Sequence, residues 1–125
     1  MKHTIDDSKP IFQQIKEQIE DMIINDTLSE DGRVPSTNEF ANHYKINPAT
    51  AAKGINQLVD EGIIYKRRGV GMFVTKEAKE IVFQKRKDAF FKSYVIPLQM
   101  EASKLNISVE ELQEMVIKGG LSDGN

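Results

Sequence analysis

The strongest constraint on this chain is the order of helix caps, turns and glycines between Ser36 and Val74, STNEFANHYKINPATAAKGINQLVDEGIIYKRRGVGMFV. Ser36-x-x-Glu39 is a capping box, in which each side chain satisfies a backbone N–H of the other residue. It opens a short helix with Phe40, Ala41 and Tyr44 on its apolar side. Asn47-Pro48 opens a second helix, because Asn caps and proline at the first helical position loses no hydrogen bond. Ala51, Ile55, Leu58 and Val59 recur at helical spacing, and Gly62 stands where a left-handed C-terminal cap belongs. The remaining face shows Ala49, Thr50, Ala52, Lys53 and Asn56, which are small or hydrogen-bonding groups.

A hairpin follows: Ile63–Lys66 as a strand, Arg67-Arg68-Gly69-Val70-Gly71 as a turn, and Met72-Phe73-Val74 as the returning strand. Glycines at the tip permit close backbone approach, and the flanking cations favour a phosphate surface. Each piece alone is common in folded proteins. Two capped helices, a tight turn and a basic glycine-tipped hairpin in this order are far more specific, and such a second helix is what a helix-turn-helix presents to a DNA major groove.

The segment from Pro10 to Val74 resembles the winged helix-turn-helix of the GntR family of bacterial transcription regulators. The matching residues are Pro10-Ile11-Phe12-x-Gln14-Ile15, Gly32-Arg33-Val34-Pro35-Ser36-x-x-Glu39-Phe40-Ala41, Asn47-Pro48-Ala49-Thr50, Leu58-x-x-Glu61-Gly62-Ile63-Ile64 and Arg67-Arg68-Gly69-x-Gly71-x-Phe73-Val74. The short helical C-terminal part is similar to that of the YtrA-like subfamily. The resemblance implies a repressor with double-stranded operator DNA as partner, binding as a homodimer with paired recognition helices on an inverted repeat. It also implies a short third strand at Arg33-Val34 beside the hairpin. Carried over by position, the DNA contacts are Ser36 and Asn38, then Asn47, Pro48, Ala49, Thr50 and Lys53, then Arg67, Arg68, Gly69 and Gly71. Lys53 is the candidate for a guanine edge, and Arg68-Gly69 for the minor groove. Where many relatives carry arginine, this chain has Asn38, Pro48 and Ala52, so fewer phosphates are neutralised and the salt dependence should be shallower.

The expected fold class is therefore mainly α with a small β-hairpin wing, followed by a short α-helical dimerisation segment. The expected division is an arm over residues 1–9, a winged helix-turn-helix over 10–75, the dimerisation segment over 76–119 and a flexible tail over 120–125. A helix from Pro10 to about Asn25 should turn Ile11, Ile15, Ile19 and Ile23 inward, with Gln13, Lys16, Glu17, Glu20 and Asp21 on a solvated face. Gly54, inside the second helix, implies close approach of the preceding helix. Lys76 to about Lys104 reads as one long helix that Pro97 should kink near Val95-Ile96. Its basic run Lys85-Arg86-Lys87 reads as a solvated face, with contact to DNA phosphates as the alternative. Ser108-x-x-Glu111 is a second capping box, opening a helix that ends at Gly119-Gly120, with Leu121–Asn125 frayed.

Two such helices cannot enclose their own apolar groups, so Phe83, Phe90, Phe91, Tyr94, Leu98, Leu112, Met115 and Val116 are expected to form a two-fold interface. The alternatives are that these aromatics pack on the winged domain of the same chain, or that Phe91 and Tyr94 line a pocket for an unknown small-molecule effector.

Composition narrows the classes. The formal charge of −2 over 125 residues argues mildly against nucleic acid, but Lys66, Arg67 and Arg68 concentrate cations locally. No cysteine is present, which removes disulfides and thiolate metal sites and fits the reducing cytoplasm. No run is long and apolar enough to span a membrane, and no signal-peptide pattern opens the chain. His3 and His43 have no partners at catalytic or metal-ligand spacing, and the pairs Asp6-Asp7 and Glu30-Asp31 fall in solvated loops. An enzyme, a cofactor and a metal are accordingly not expected. The competing class is a winged helix used for protein contacts without DNA, and salt-sensitive retention on operator DNA separates the two.

Overall fold

A computed structural model describes residues 5–119. His3, Gly120 and Leu121–Asn125, on which the expectation of a frayed tail falls, lie outside the described residues. The chain divides into two compact units, Met1–Lys85 and Arg86–Asn125.

In the first unit, helix α1 (Ile11–Ile24) precedes strand β1 (Arg33–Val34), helices α2 (Thr37–Tyr44) and α3 (Pro48–Asp60), and strands β2 (Ile64–Arg67) and β3 (Gly71–Val74). The sheet is antiparallel with order β1-β3-β2, and Arg33 faces Phe73 while Tyr65 also faces Phe73. The short third strand beside the hairpin is thus present. Ile15, Ile19 and Ile23 of α1, Phe40 of α2, and Ala51, Ile55 and Leu58 of α3 meet Val34, Ile63, Ile64 and Val74 in one core. Ala78 and Val82, at the start of helix α4 (Ala78–Phe90), belong to the same core. The expected boundary at residue 75 therefore lies inside this unit's packing, and the division between units falls after Lys85.

The helix ends follow their local chemistry. Ser36 and Glu39 form the reciprocal capping box, at 3.1 Å and 2.9 Å. The Asn47 side chain accepts from the Ala49 N–H at 2.8 Å. Gly62 adopts φ +78°, the Gly62 N–H reaches the Val59 carbonyl and the Ile63 N–H reaches the Leu58 carbonyl, which is a Schellman motif closed by the buried pair Leu58 and Ile63. The described part of the arm folds back on α1: the Gln14 side chain accepts from the Asp6 N–H and donates to the Asp6 and Lys9 carbonyls.

Gly54 does mark a close approach, but to α1 rather than to the preceding helix. A Cβ there would stand 2.6 Å from the Phe12 carbonyl oxygen. A glycine inside a helix signals close approach without naming the neighbour, and the partner is set by how the helices cross.

The α1 face expected to be solvated is also corrected. Lys16 and Glu20 are buried, at 5% and 1% exposure. Lys16 Nζ donates to Gln57 Oε1 at 2.9 Å and to Glu61 Oε2 at 2.8 Å. Lys85 Nζ donates to Glu20 Oε2 at 2.5 Å and to Glu61 Oε1 at 2.7 Å. Lys85 is therefore not on a solvated face either; it ties α4 to α1 and to the C-terminal cap of α3. Burial raises the Glu61 carboxyl, but the hydrogen bonds and charges of Lys16 and Lys85 outweigh it and hold the group below its usual value. For Lys85, burial opposes the charge, while Glu20 and Glu61 raise it above its usual value.

A lowered carboxyl stabilises the fold above its unfolded pKa of 4.5 and loses that contribution as pH falls through the folded value. A raised ammonium stabilises below 10.5 and loses its contribution as pH rises through the folded value. The difference in melting temperature between the wild-type chain and Lys85→Met should stay constant between these limits and shrink outside them. A difference that changes steadily across neutral pH would refute this account.

In the second unit, α4 continues without a break into a π-helical turn, Phe91–Val95, and then α5 (Ile96–Lys104). The distortion expected at Val95-Ile96 takes this form, one turn wide and placed before Pro97. Proline supplies no N–H to the preceding turn, and the Ile96 N–H reaches back five residues to the Phe91 carbonyl instead. Asn106, at φ +57°, ends α5, with the Ile107 N–H on the Ala102 carbonyl. Ser108 then caps α6 (Val109–Lys118), accepting from the Glu111 N–H at 3.1 Å. Only this half of the expected second capping box is formed. Phe90, Phe91, Tyr94, Leu98, Met115 and Val116 are exposed, Tyr94 by 67%, and Leu112 is half-buried. Between α5 and α6 runs a groove of about 460 Å³, lined by apolar groups that include Val95, Leu98, Leu112 and Val116. Phe83 lies in the first unit, exposed, with the Lys79 ammonium 5.9 Å from its ring. Among the described residues no helix is long and apolar enough to cross a membrane.

Candidate nucleic-acid interface

Helix α3 buries Ala51, Gly54, Ile55 and Leu58. The helical repeat then forces Ala49, Lys53, Asn56 and Asp60 into one exposed stripe, with Pro48 exposed at its start. Asn47 stands just ahead, exposed, with its side-chain oxygen committed to the cap. Thr50 is half-buried at the edge of the stripe. Asn56 carries amide donors and an acceptor on the same stripe. Its helical phase already marks it, although it was not among the residues carried over by resemblance.

Tight packing holds α3 in place from behind, and a sharp turn positions its start. The Ile46 N–H reaches the Ala41 carbonyl, and Lys45 adopts φ +57° between them. This ends α2 in a tight turn and sets Asn47 to cap the next helix.

The wing is built by a different rule. The Val70 N–H donates to the Arg67 carbonyl at 2.9 Å, and Gly69, the third residue of that turn, has φ +75°. A turn of this kind requires a residue that tolerates positive φ at its third position. Arg67 lies 5.3 Å over the Phe73 ring, and Arg68 is exposed at the tip.

Between the wing and the start of α2 lies a groove of about 370 Å³. It gathers Ser36, Asn38, Arg67, Gly69 and Gly71, five of the residues expected to meet DNA. Arg33, Thr37 and Lys66 line it too, and among the described residues no acidic side chain does. The nearby Glu39 carboxylate is spent on the cap: the Ser36 backbone N–H, then its hydroxyl, hold it below its usual value, with Arg33 adding to the effect at 3.3 Å. Arg33 was read from the sequence only as a strand residue. Its role as a groove cation follows from the β1–β3 pairing, which places it opposite Phe73. Asn47, Pro48, Ala49, Thr50 and Lys53 lie outside this groove, on α3. The expected contacts thus form two clusters, one on the recognition helix and one at the wing. The local surface is cationic although the chain as a whole carries −2.

His43 is exposed, with its ring edge-on to Tyr44 at 4.6 Å. Asp31 accepts from the Tyr65 hydroxyl at 2.7 Å and Asp6 from Ser8, so these members of the two acidic pairs have local structural partners.

Residues 11–74, just over half of the chain, match the family described as bacterial regulatory proteins, gntR family. The chain belongs to the GntR family. It is a DNA-binding transcriptional regulator by that membership, in a family of regulators rather than enzymes. It is 29% identical over 119 residues to the HTH-type transcriptional repressor YtrA of Bacillus subtilis, covering 90% of this chain and 91% of YtrA. It is 37% identical over 75 residues to the HTH-type transcriptional repressor NagR of the same organism, covering 60% of this chain but only 31% of NagR. Among solved structures, a GntR family transcriptional regulator from Listeria monocytogenes superposes with a TM-score of 0.72 at 32% identity, over 91% of this chain and 98% of that one. The DNA-binding domain of AraR in complex with operator ORE1 matches 60% of this chain and 94% of that one, with a TM-score of 0.52 and 27% identity.

Proposed function

We propose that this GntR-family regulator is a repressor that binds an inverted-repeat operator as a homodimer, with α3 in the major groove and the wing in the minor groove. The observation that carries this reading is the exposed stripe Ala49–Lys53–Asn56 on a helix capped by Asn47, and a wing groove lined by Arg33, Lys66 and Arg67 with no acid among the described residues. The stripe combines a methyl group, a cation and an amide, the chemistries that contact thymine, guanine and adenine edges. The operator complex of the AraR domain supports DNA as partner, and the repressor relatives support the sign of regulation. In this reading Ser36, Asn38, Asn47, Thr50, Arg67, Gly69 and Gly71 position the backbone of the duplex, with Pro48 and Ala49 packed against the major groove.

The second unit supplies self-association. Phe90, Phe91, Tyr94 and Leu98 on one stretch, and Leu112, Met115 and Val116 on α6, are apolar groups that a second copy would cover; Phe83 is an exposed apolar group of the first unit. Two copies related by a two-fold axis place two recognition helices about 34 Å apart, one helical turn of DNA. A small-molecule effector would act by favouring one dimer geometry over another. The cytoplasm is the compartment in which this chemistry operates.

The test is protection of the intergenic DNA beside its own gene, with sedimentation of the free protein. A two-fold symmetric footprint by a dimer is the expected result. A monomer at micromolar concentration that ignores duplex DNA at low salt overturns the reading. Two substitutions divide the labour. Lys53→Ala should relax base preference, with discrimination falling by about 1–3 kcal/mol at one base pair. Arg68→Ala should weaken all sequences alike and reduce the salt slope by about 1. If neither variant changes binding, the residue assignment fails.

A further inference from the structure

We propose that Phe12, on the first turn of α1, is a positioning residue for DNA recognition that holds the Lys53 side chain of α3 ready for contact. The inference rests on the DNA reading above. The α1–α3 crossing at Gly54 is so close that the Phe12 carbonyl oxygen would lie 2.6 Å from a Cβ at that position. Residue 53 precedes it, so its side chain leaves α3 along the flank of α1. There the Lys53 ammonium sits 4.1 Å from the centroid of the Phe12 ring. Lys53 remains exposed, and no carboxylate pairs with it among the described residues.

This arrangement differs from a salt bridge in a way that matters for function. A carboxylate would neutralise the cation and occupy its N–H groups. A ring face attracts the ammonium through its quadrupole and leaves the net charge in place. Lysine otherwise carries its charge on a flexible four-carbon stem and loses rotamer freedom when it docks. A stem already held loses less, which favours binding without a new contact to DNA. Phe12 need not touch the duplex to contribute in this way.

The test is a double-substitution cycle on the duplex that the wild-type chain itself enriches from a random-sequence pool. Phe12→Leu should weaken binding about threefold to fivefold, the equivalent of an exposed cation–π contact. In a Lys53→Ala background the same change should have no effect on affinity. Phe12→Tyr, which keeps the ring, should bind as the wild type does. The salt slope should stay unchanged in Phe12→Leu, because that substitution removes no charge. Melting curves of the four chains of the cycle report packing separately: a stability loss in both backgrounds, alongside an affinity loss confined to the Lys53 background, supports the positioning role. An equal affinity loss in both backgrounds assigns Phe12 a purely structural role and overturns the proposal, as does an unchanged affinity in Phe12→Leu. Failure of the wild-type chain to enrich any duplex overturns the DNA reading itself and this inference with it.

Discussion

Substituting alanine for Gly54 should lower the melting temperature by about 10 °C, although alanine is the better helix former. The propensity gain is about 1 kcal/mol. Against it stands a Cβ placed 2.6 Å from the Phe12 carbonyl oxygen and 3.5 Å from the Ile15 Cβ. The Ile15 Cβ is at ordinary contact distance, but the Phe12 carbonyl is backbone and cannot swing aside. Either helix must move, and both carry the core: Ile15, Ile19 and Ile23 on one, Ile55 and Leu58 on the other. Overpacking a core costs about 1–3 kcal/mol for a small addition, and here the intruding atom meets the main chain. A net loss of about 2 kcal/mol corresponds to roughly 8–16 °C for a domain of this size. Gly54→Leu should be worse and leave little folded protein. Thermal unfolding by circular dichroism decides the matter. An unchanged or raised midpoint for Gly54→Ala would show that the crossing has room the structure denies it.

The second large effect is expected at Lys85. Lys85→Met should destabilise the fold by about 3 kcal/mol, measured by urea unfolding. The methionine keeps most of the apolar stem but removes the ammonium from Glu20 and Glu61. Glu61 retains Lys16 at 2.8 Å and is partly solvated. Glu20 is almost wholly buried, and although it keeps a further contact, its charge loses the cation that lies against it. Removing one partner of a buried pair costs about 3–5 kcal/mol, mostly because the remaining charge stays out of water. Partial exposure of Lys85 places this case at the low end. The companion variant separates attraction from desolvation. Glu20→Leu combined with Lys85→Met replaces the pair by apolar groups and should recover most of the lost stability. If the single Lys85→Met change falls within about 0.5 kcal/mol of the wild type, Lys85 is behaving as an ordinary surface residue.

Much of the candidate interface was legible because it is encoded locally. The Ser36–Glu39 box, the Asn47-Pro48 start, the Gly62 stop and the Gly69 turn each depend on residues within a few positions of one another, and the structure forms all four. The exposed face of α3 follows from its buried positions by helical phase alone, which is why Ala49, Lys53 and Asn56 could be placed on one side before any fold was known. Arg33 illustrates the opposite case. Nothing near it in sequence shows that it lines the wing groove; that depends on a strand pairing that spans some forty positions.

The chain's own sequence thus determined where helices start and stop, which face of each is apolar, and how the wing turns, because caps, periodicity and positive φ act over one or two turns. Tertiary structure alone decided which neighbour Gly54 admits, that Lys16 and Glu20 leave water with Lys85 over Glu20, and that Phe12 meets Lys53. Those outcomes depend on how helices far apart in sequence cross. A charged residue on a polar stripe reads the same whether that stripe faces solvent or an oppositely charged partner, and only the folded arrangement tells them apart.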